Sequence, residues 1–306
     1  ILKGYDRRGN FLGLFFTDAF MLSDFFLVRS FLKWKNTYMV KMEEWMHIIS
    51  EMDAMVSMAD FRYNHPEAEE AEFVSGSPEA DTESDVSENA GIGSPEIVFD
   101  GKNLYHPFLG SKAVKNDFTI KDDNYYIITG ANMAGKSTFL RSLGVNYILA
   151  MAGMPVFADQ LKISRFRLFS SMRTTDDLTH GISYFNAELI RLEELLKFCK
   201  ESAEGNKEPL RTLIILDEIL KGTNSLDKLN GSRKFLEAIA KQPVSGIIAT
   251  HDLELSKMEN DASGKFHNYC FEIDLGTDVT YTYKIQKGVA RNQNATFLLN
   301  KILEKY

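Results

Sequence analysis

The chain has 306 residues, 44% of them hydrophobic, which suffices for a large domain with a sizeable core and an appendage. Its net charge of −8 is unevenly spread: between Pro66 and Pro95 there are nine acidic residues and no Lys or Arg, and the remainder is nearly neutral, which excludes the global basic field of a chain that coats nucleic acid through charge alone. Cys199 and Cys270 match no metal or redox spacing and read as ordinary thiols of a reducing compartment. No secretory signal is visible. The most apolar stretch, Phe11 to Leu32, carries Asp18, Asp24 and Arg29, so it reads as buried helix rather than a membrane span, with a cytoplasmic location and no membrane contact expected.

In chain order, residues 1–65 read as helical. Phe15, Ala19, Leu22, Phe26 and Phe31 suggest a first helix; Tyr38, Met42, Trp45, Ile49, Met52, Val56 and Ala59 form an apolar stripe on a second, where helix packing is the expected use. Residues 66–95, acidic with Ser, Gly and Pro, are expected to be a flexible linker. The chain starts at Ile1, and a piece of a longer protein is expected. From Glu96 onward strands and helices alternate, the pattern of an α/β sheet with crossover helices, so residues 96–306 form the main domain. Strands are expected at 97–99, 118–120, 125–129, 211–216 and 245–250. A hairpin is expected over 266–275 and 279–286, and helices over 186–199, 235–240 and 292–303.

Within that domain Gly130, Gly135, Lys136 and Ser137 fit G-x-x-x-x-G-K-[ST], between the apolar run Tyr125–Thr129 and the helical spacing of Phe139, Leu140, Leu143, Tyr147 and Ile148. Glycines let the backbone turn successive N–H groups toward one point, and the helix beginning near Thr138 adds its positive end. The expected nucleotide-binding set is Gly130, Ala131, Asn132, Met133, Ala134, Gly135, Lys136, Ser137 and Thr138 around ATP. Lys136 would reach the β- and γ-phosphates and the Ser137 hydroxyl would hold Mg²⁺. Leu213-Ile-Ile-Leu-Asp217-Glu218 is a buried strand that delivers two carboxylates at its carboxyl end, Asp217 for Mg²⁺ and Glu218 as the base that deprotonates water. His251 follows another strand at the same edge, in reach of the γ-phosphate or the attacking water. Gly181-Ile-Ser183, before the helix at 186–199, reads as a bare pattern as an N-cap.

Taken together, Asn132-Met133, Asp217-Glu-Ile-Leu-Lys-Gly-Thr-Asn-Ser225, Ala249-Thr-His251 and Gly181-Ile-Ser183-Tyr-Phe resemble the ATPase domain of the MutS family, mismatch-repair relatives of the ABC ATPases. Leu104-Tyr-His-Pro107, Val114-Lys-Asn-Asp117, Tyr283-Lys-Ile-Gln-Lys-Gly288 and Ile49 to Ser57 extend the likeness over nearly the whole chain. The resemblance implies a P-loop NTPase of ABC-ATPase type with an N-terminal helical lever, and a Mg²⁺-dependent ATPase that works as a homodimer through its ATPase domains. It also implies that Ser183 completes the partner's site in trans, and that the full-length protein contacts DNA. This chain has Ala131 and Ala134 where the mismatch-repair members have Pro and Gly, and Lys221 and Asn224-Ser225 where they have Arg and Ser-Thr. The adenine-stacking aromatic is missing from the Ala113-Val114 region. These departures resemble a MutS-related branch, which keeps open a scaffold or membrane-associated role as the alternative. An ABC transporter is excluded because no Leu-Ser-Gly-Gly-Gln signature is present.

Overall fold

A computed structural model describes residues 22–74, 97–172, 184–204, 211–220, 225–261, 263–275, 279–291 and 303. The chain divides into two compact units at His65 and Pro66. In the first, helix α1 (Ser23–Trp34) runs through a five-residue π-helical turn, Lys35–Met39, into α2 (Val40–Asn64). The helical character is as expected, but the packing is not. No residue of α2 is buried, and Trp45, Ile49, Met52 and Val56 of its apolar stripe are all exposed. Helical periodicity marks a face that favours burial; it does not supply the surface that covers it, and the described residues do not. No described helix is long and apolar enough to cross a membrane.

The second unit is α/β, as its alternating pattern predicts. Strands β1 (Glu72–Phe73), β2 (Ile97–Leu104), β3 (Asn116–Lys121), β4 (Tyr125–Gly130), β5 (Gln160–Ile163), β6 (Arg167–Ser171), β7 (Thr212–Asp217), β8 (Val244–Ala249), β9 (Phe266–Leu275) and β10 (Val279–Lys287) form two sheets. The larger has the order β10-β9-β4-β8-β7-β6, with every pair parallel except the β9–β10 hairpin. The smaller has the order β1-β5-β2-β3. Helices α3 (Lys136–Met151), α4 (Tyr184–Glu204) and α5 (Ser225–Ile239) are the crossovers.

The central strands are apolar without interruption because both of their faces are covered. Ile128, Ile215 and Ile247 point into one core with Leu140, Leu143 and Tyr147 of α3 and Phe118 of β3. Their neighbours Ile127, Ile214 and Ile248 point into the other, with Leu195 of α4 and Leu236 of α5. Side chains of adjacent strand residues project to opposite faces, so each Ile-Ile pair serves both layers. Full burial of each such side chain contributes roughly 1.5–3 kcal/mol.

Three strands escape a composition-based reading. β5 and β6 are short and half polar, and β1 has two residues inside the acidic segment. Glu72 and Phe73 pair with Lys162 and Ile163, and Glu69 bridges to Val156, so the first part of the expected 66–95 linker lies against the small sheet. A Glu72–Lys162 ion pair of 3.0 Å helps an acidic residue to serve as edge strand. The closing helix expected over 292–303 lies outside the described residues except for Leu303.

One polar side chain ties α3 to the segments that adjoin β2 and β5 of the smaller sheet. Asn146 is fully buried; its Nδ2 donates to the carbonyls of Tyr105 (3.1 Å) and Ser142 (2.8 Å), and its Oδ1 accepts from the Phe157 N–H at 2.6 Å. Removing one partner strands the others in a dry interior, at about 1–3 kcal/mol each. Asn146→Ala is therefore expected to lower the unfolding free energy by about 2–4 kcal/mol in urea titration. A loss below about 0.5 kcal/mol, the range of an ordinary surface change, would contradict the linchpin role.

Candidate functional site

Parallel strands bring their carboxyl ends to one edge, and there the register aligns four of the expected positions. Ile128 of β4 and Asp217 of β7 both pair with Ala249 of β8. Gly130, Asp217, Glu218 and His251 thus emerge side by side although more than a hundred residues separate the first from the last. The Glu218 N–H donates to the Ala249 carbonyl (2.9 Å) and the Thr250 N–H to that of Ile128 (2.9 Å), which extends the ladder into the loops.

β4 turns into α3 through Ala131–Gly135. Gly130 has φ 151°, and a Cβ there would sit 2.9 Å from the Phe271 carbonyl oxygen of β9. Gly135, at φ 109° directly before the helix, would bring a Cβ to 3.1 Å from the Tyr283 ring. Both positions require glycine for conformation and for space. Met133 adopts φ 66° with its side chain exposed.

The turn closes around Lys136, which is only 5% exposed. Its Nζ donates to the carbonyls of Gly130 (2.7 Å) and Ala131 (2.8 Å) and lies 3.4 Å from His251 Nδ1. Burial pushes its pKa down from the usual 10.5 to about 8, and the nearby Asp217 and Glu218 only partly oppose this. Ser137 is half-buried and Thr138 exposed at the head of α3, beside Asn132 and the buried Ala134.

Glu218 leaves β7 in the left-handed region, φ 64°, a conformation that costs a non-glycine residue energy and turns its carboxylate across the sheet edge. Oε1 lies 3.1 Å from His251 Nε2 and Oε2 lies 3.6 Å from Lys228 Nζ of α5. His251 Nδ1 is also 3.1 Å from the Gly130 oxygen. Burial first, then the Lys136 ammonium, draws the His251 pKa below 6.5, against the pull of Glu218. A ring protonated at Nε2 donates to Glu218 and accepts from Lys136 at Nδ1, whereas a ring protonated at Nδ1 donates to the Gly130 carbonyl instead.

A cavity of about 510 Å³ opens above the turn, between Asn132–Phe139, the Tyr105-His106 corner, Val114 and Tyr283. Tyr283 escapes periodicity analysis because it sits in a β10 bulge between Tyr281 and Ile285. Asn116 holds the bulge from both sides, donating to the Tyr283 carbonyl (3.1 Å) and accepting from the Ile285 N–H (2.9 Å). The Tyr283 ring stacks on Tyr281 at 5.8 Å and faces the turn. Its place in the stretch Tyr283 to Gly288 is the one sequence signal that points to it. The segment with Ser183 and the residues 221–224 after Leu220 lie outside the described residues. Among the described residues, no group of three or more His, Cys, Asp or Glu side chains is arranged to hold a metal ion.

The depressed Lys136 pKa has a measurable sign. Between about pH 8 and 10.5 the unfolded chain keeps this proton and the folded chain releases it, so stability rises with pH across that window. Relative to the parent, Lys136→Met is expected to lose this rise, about 2–3 kcal/mol over the window, in denaturant titrations at stepped pH. Parallel pH–stability curves for the two proteins would mean that Lys136 is not desolvated.

Residues 126–297 match the family described as MutS domain V. Among curated relatives, the DNA mismatch repair protein MutS of Lachnoclostridium phytofermentans is 32% identical over 213 residues, 64% of this chain and 22% of the relative. Those of Ruminiclostridium cellulolyticum and Acetivibrio thermocellus are 31% and 32% identical over 222 residues, covering 67% and 68% of this chain and 24% of each relative. The chain thus spans about a quarter of the length of these relatives. The family match begins inside β4, takes in the glycine turn, both carboxylates and His251, and extends over more than half of the sequence. The chain belongs to the MutS domain V family.

Proposed function

We propose that this chain is the ATP-binding and ATP-hydrolysing part of a MutS-like mismatch repair protein, a P-loop ATPase of ABC type working as an ATP-gated homodimer on DNA. The observation that carries the reading is the desolvated Lys136 ammonium, held by the carbonyls of its own turn, at the sheet edge that also presents Asp217, Glu218 and His251. A buried ammonium exchanges two neutral carbonyls for a phosphate at a large electrostatic gain. The name of the relatives, DNA mismatch repair protein, favours this role over a scaffold or membrane-associated one.

In this reading Lys136 swings from Gly130 and Ala131 to the β- and γ-phosphates, while the backbone of Ala131 to Lys136 and the head of α3 cradle them. The residues suit magnesium: Ser137 and Asp217 would hold it, and the ion would neutralise developing charge on the phosphates. Glu218 accepts a proton from the attacking water, the bond from the γ-phosphorus to the bridging oxygen breaks, and ADP and phosphate leave. His251 orients the water or the γ-phosphate. The Tyr283 ring offers a face for the base within a cavity of nucleotide size, in place of the aromatic absent at Ala113. Ser183 of a second copy reaches the γ-phosphate, so that ATP joins two copies and hydrolysis parts them. α1 and α2 act as the lever toward DNA-contacting parts beyond this chain.

Glu218→Gln is expected to bind ATP with Mg²⁺ normally and to hydrolyse it on the order of 10²–10⁴ more slowly, as measured by phosphate release and nucleotide titration. Undiminished turnover would remove Glu218 as the base. Lys136→Ala is expected to lose nucleotide binding, and normal affinity in that variant would overturn the phosphate assignment. Mixing Ser183→Ala with Lys136→Ala protein places both lesions in one composite site and leaves the other intact, so activity above that of either variant alone is expected. No recovery on mixing would argue against completion of the site by the partner.

A further inference from the structure

Gly231 stands near the middle of α5, where glycine weakens a helix more than any residue except proline. It stands where a leucine needs the space: a Cβ at Gly231 would lie 2.4 Å from Leu220 Cδ1, so the leucine would have to leave its seat. Leu220 is buried in the core that also holds Leu216, Ile219 and Leu236. Neighbouring positions on the same helix also meet the exit of β7. The buried Ser232 donates a long hydrogen bond of 3.5 Å to the Ile219 carbonyl, and Lys228 Nζ lies 3.6 Å from Glu218 Oε2. Residues 228, 231 and 232, at three- and four-residue steps, share one face of α5. That face meets Glu218, Ile219 and Leu220.

Two of these three exit residues adopt the left-handed region, Glu218 at φ 64° and Leu220 at φ 57°. Asparagine or aspartate offsets that conformation with a local hydrogen bond, and an alkyl side chain makes none. Such strain persists only where the surroundings over-determine it. We propose that the notch at Gly231 is a positioning device for hydrolysis: it seats Leu220, which holds the strained exit of β7 and with it the Glu218 carboxylate at the sheet edge. The inference rests on the assignment of Glu218 as base. Upstream, the Glu218 N–H is fixed on the Ala249 carbonyl at 2.9 Å. Downstream, Leu220 in its notch is the second fixed point. With both ends held, the backbone of Glu218 sets the direction of its side chain, and Oε1 comes to 3.1 Å from His251 Nε2. Neither Gly231 nor Leu220 lines the cavity, so both are positioning residues and not catalytic ones.

The test compares parent, Gly231→Ala, Leu220→Ala, the double variant and Glu218→Gln in the intact protein, by single-turnover ATP hydrolysis and by affinity for a fluorescent non-hydrolysable ATP analogue, with urea titration to confirm that each is folded in the assay. Gly231→Ala, which fills the notch, and Leu220→Ala, which empties it, are each expected to slow hydrolysis on the order of ten- to a hundredfold, with analogue affinity within about twofold of the parent. The double variant is expected to be no slower than Leu220→Ala alone, because the added methyl no longer has a leucine to displace. If Gly231→Ala does not fold, Leu220→Ala makes the comparison with the parent. Folded variants that hydrolyse at the parent rate, while Glu218→Gln remains slow, overturn the positioning role and leave the base assignment standing. Rate losses matched by equal losses of analogue affinity, or losses that simply multiply in the double variant, overturn it as well. A parent rate untouched by Glu218→Gln overturns the base assignment and the positioning role with it.

Discussion

The site is built around the cost of keeping one ammonium out of water. Lys136 loses most of its hydration, and its own turn compensates with the carbonyls of Gly130 and Ala131. That compensation requires the backbone to double back within six residues, which in turn requires positive φ at Gly130 and Gly135 and no side chain between the turn and β9. The neighbours inherit the constraint. His251 is pushed toward neutrality by the same ammonium, and Glu218 is oriented by His251.

The sheet makes this arrangement rigid. Three strands with buried faces, β4, β7 and β8, fix where the turn, the carboxylates and the histidine emerge, and the two cores press crossover helices on either side. The exit loops carry strain, with Met133, Glu218 and Leu220 all at positive φ. Such conformations persist only when the surroundings over-determine them, and here they flank the residues with the chemistry. The smaller sheet closes the cavity from the other side through the Tyr105-His106 corner, and β10 closes it through the Tyr283 bulge.

The electrostatic pattern has a consequence for any ligand that enters. Lys136, His251, Glu218 and Lys228 form an alternating series of positive, neutral, negative and positive groups within contact distance of one another. An anion that takes Lys136 changes the balance along the whole series, because the groups share partners and sit in a medium less polar than water.

Much of this was legible from residue order. The α/β pattern, the strands that became β4, β7 and β8, the glycine turn and the residues after each strand all follow from local rules: apolar runs of strand length, glycine where the backbone must reverse, and polar residues where a buried strand exits. The MutS likeness rested on those same residues, and the family match agrees. Other features were decided only in three dimensions. Tyr283 reached the cavity through a bulge that Asn116 holds from 167 residues away. β1 was drawn from acidic sequence into a sheet by pairing with β5. The Lys228–Glu218 contact joins a helix face to a strand exit, and the apolar stripe of α2 stayed exposed although its period promised burial. Local sequence determines what each segment prefers; which surfaces meet depends on contacts between residues far apart in the chain, and those are set by the packing of the whole.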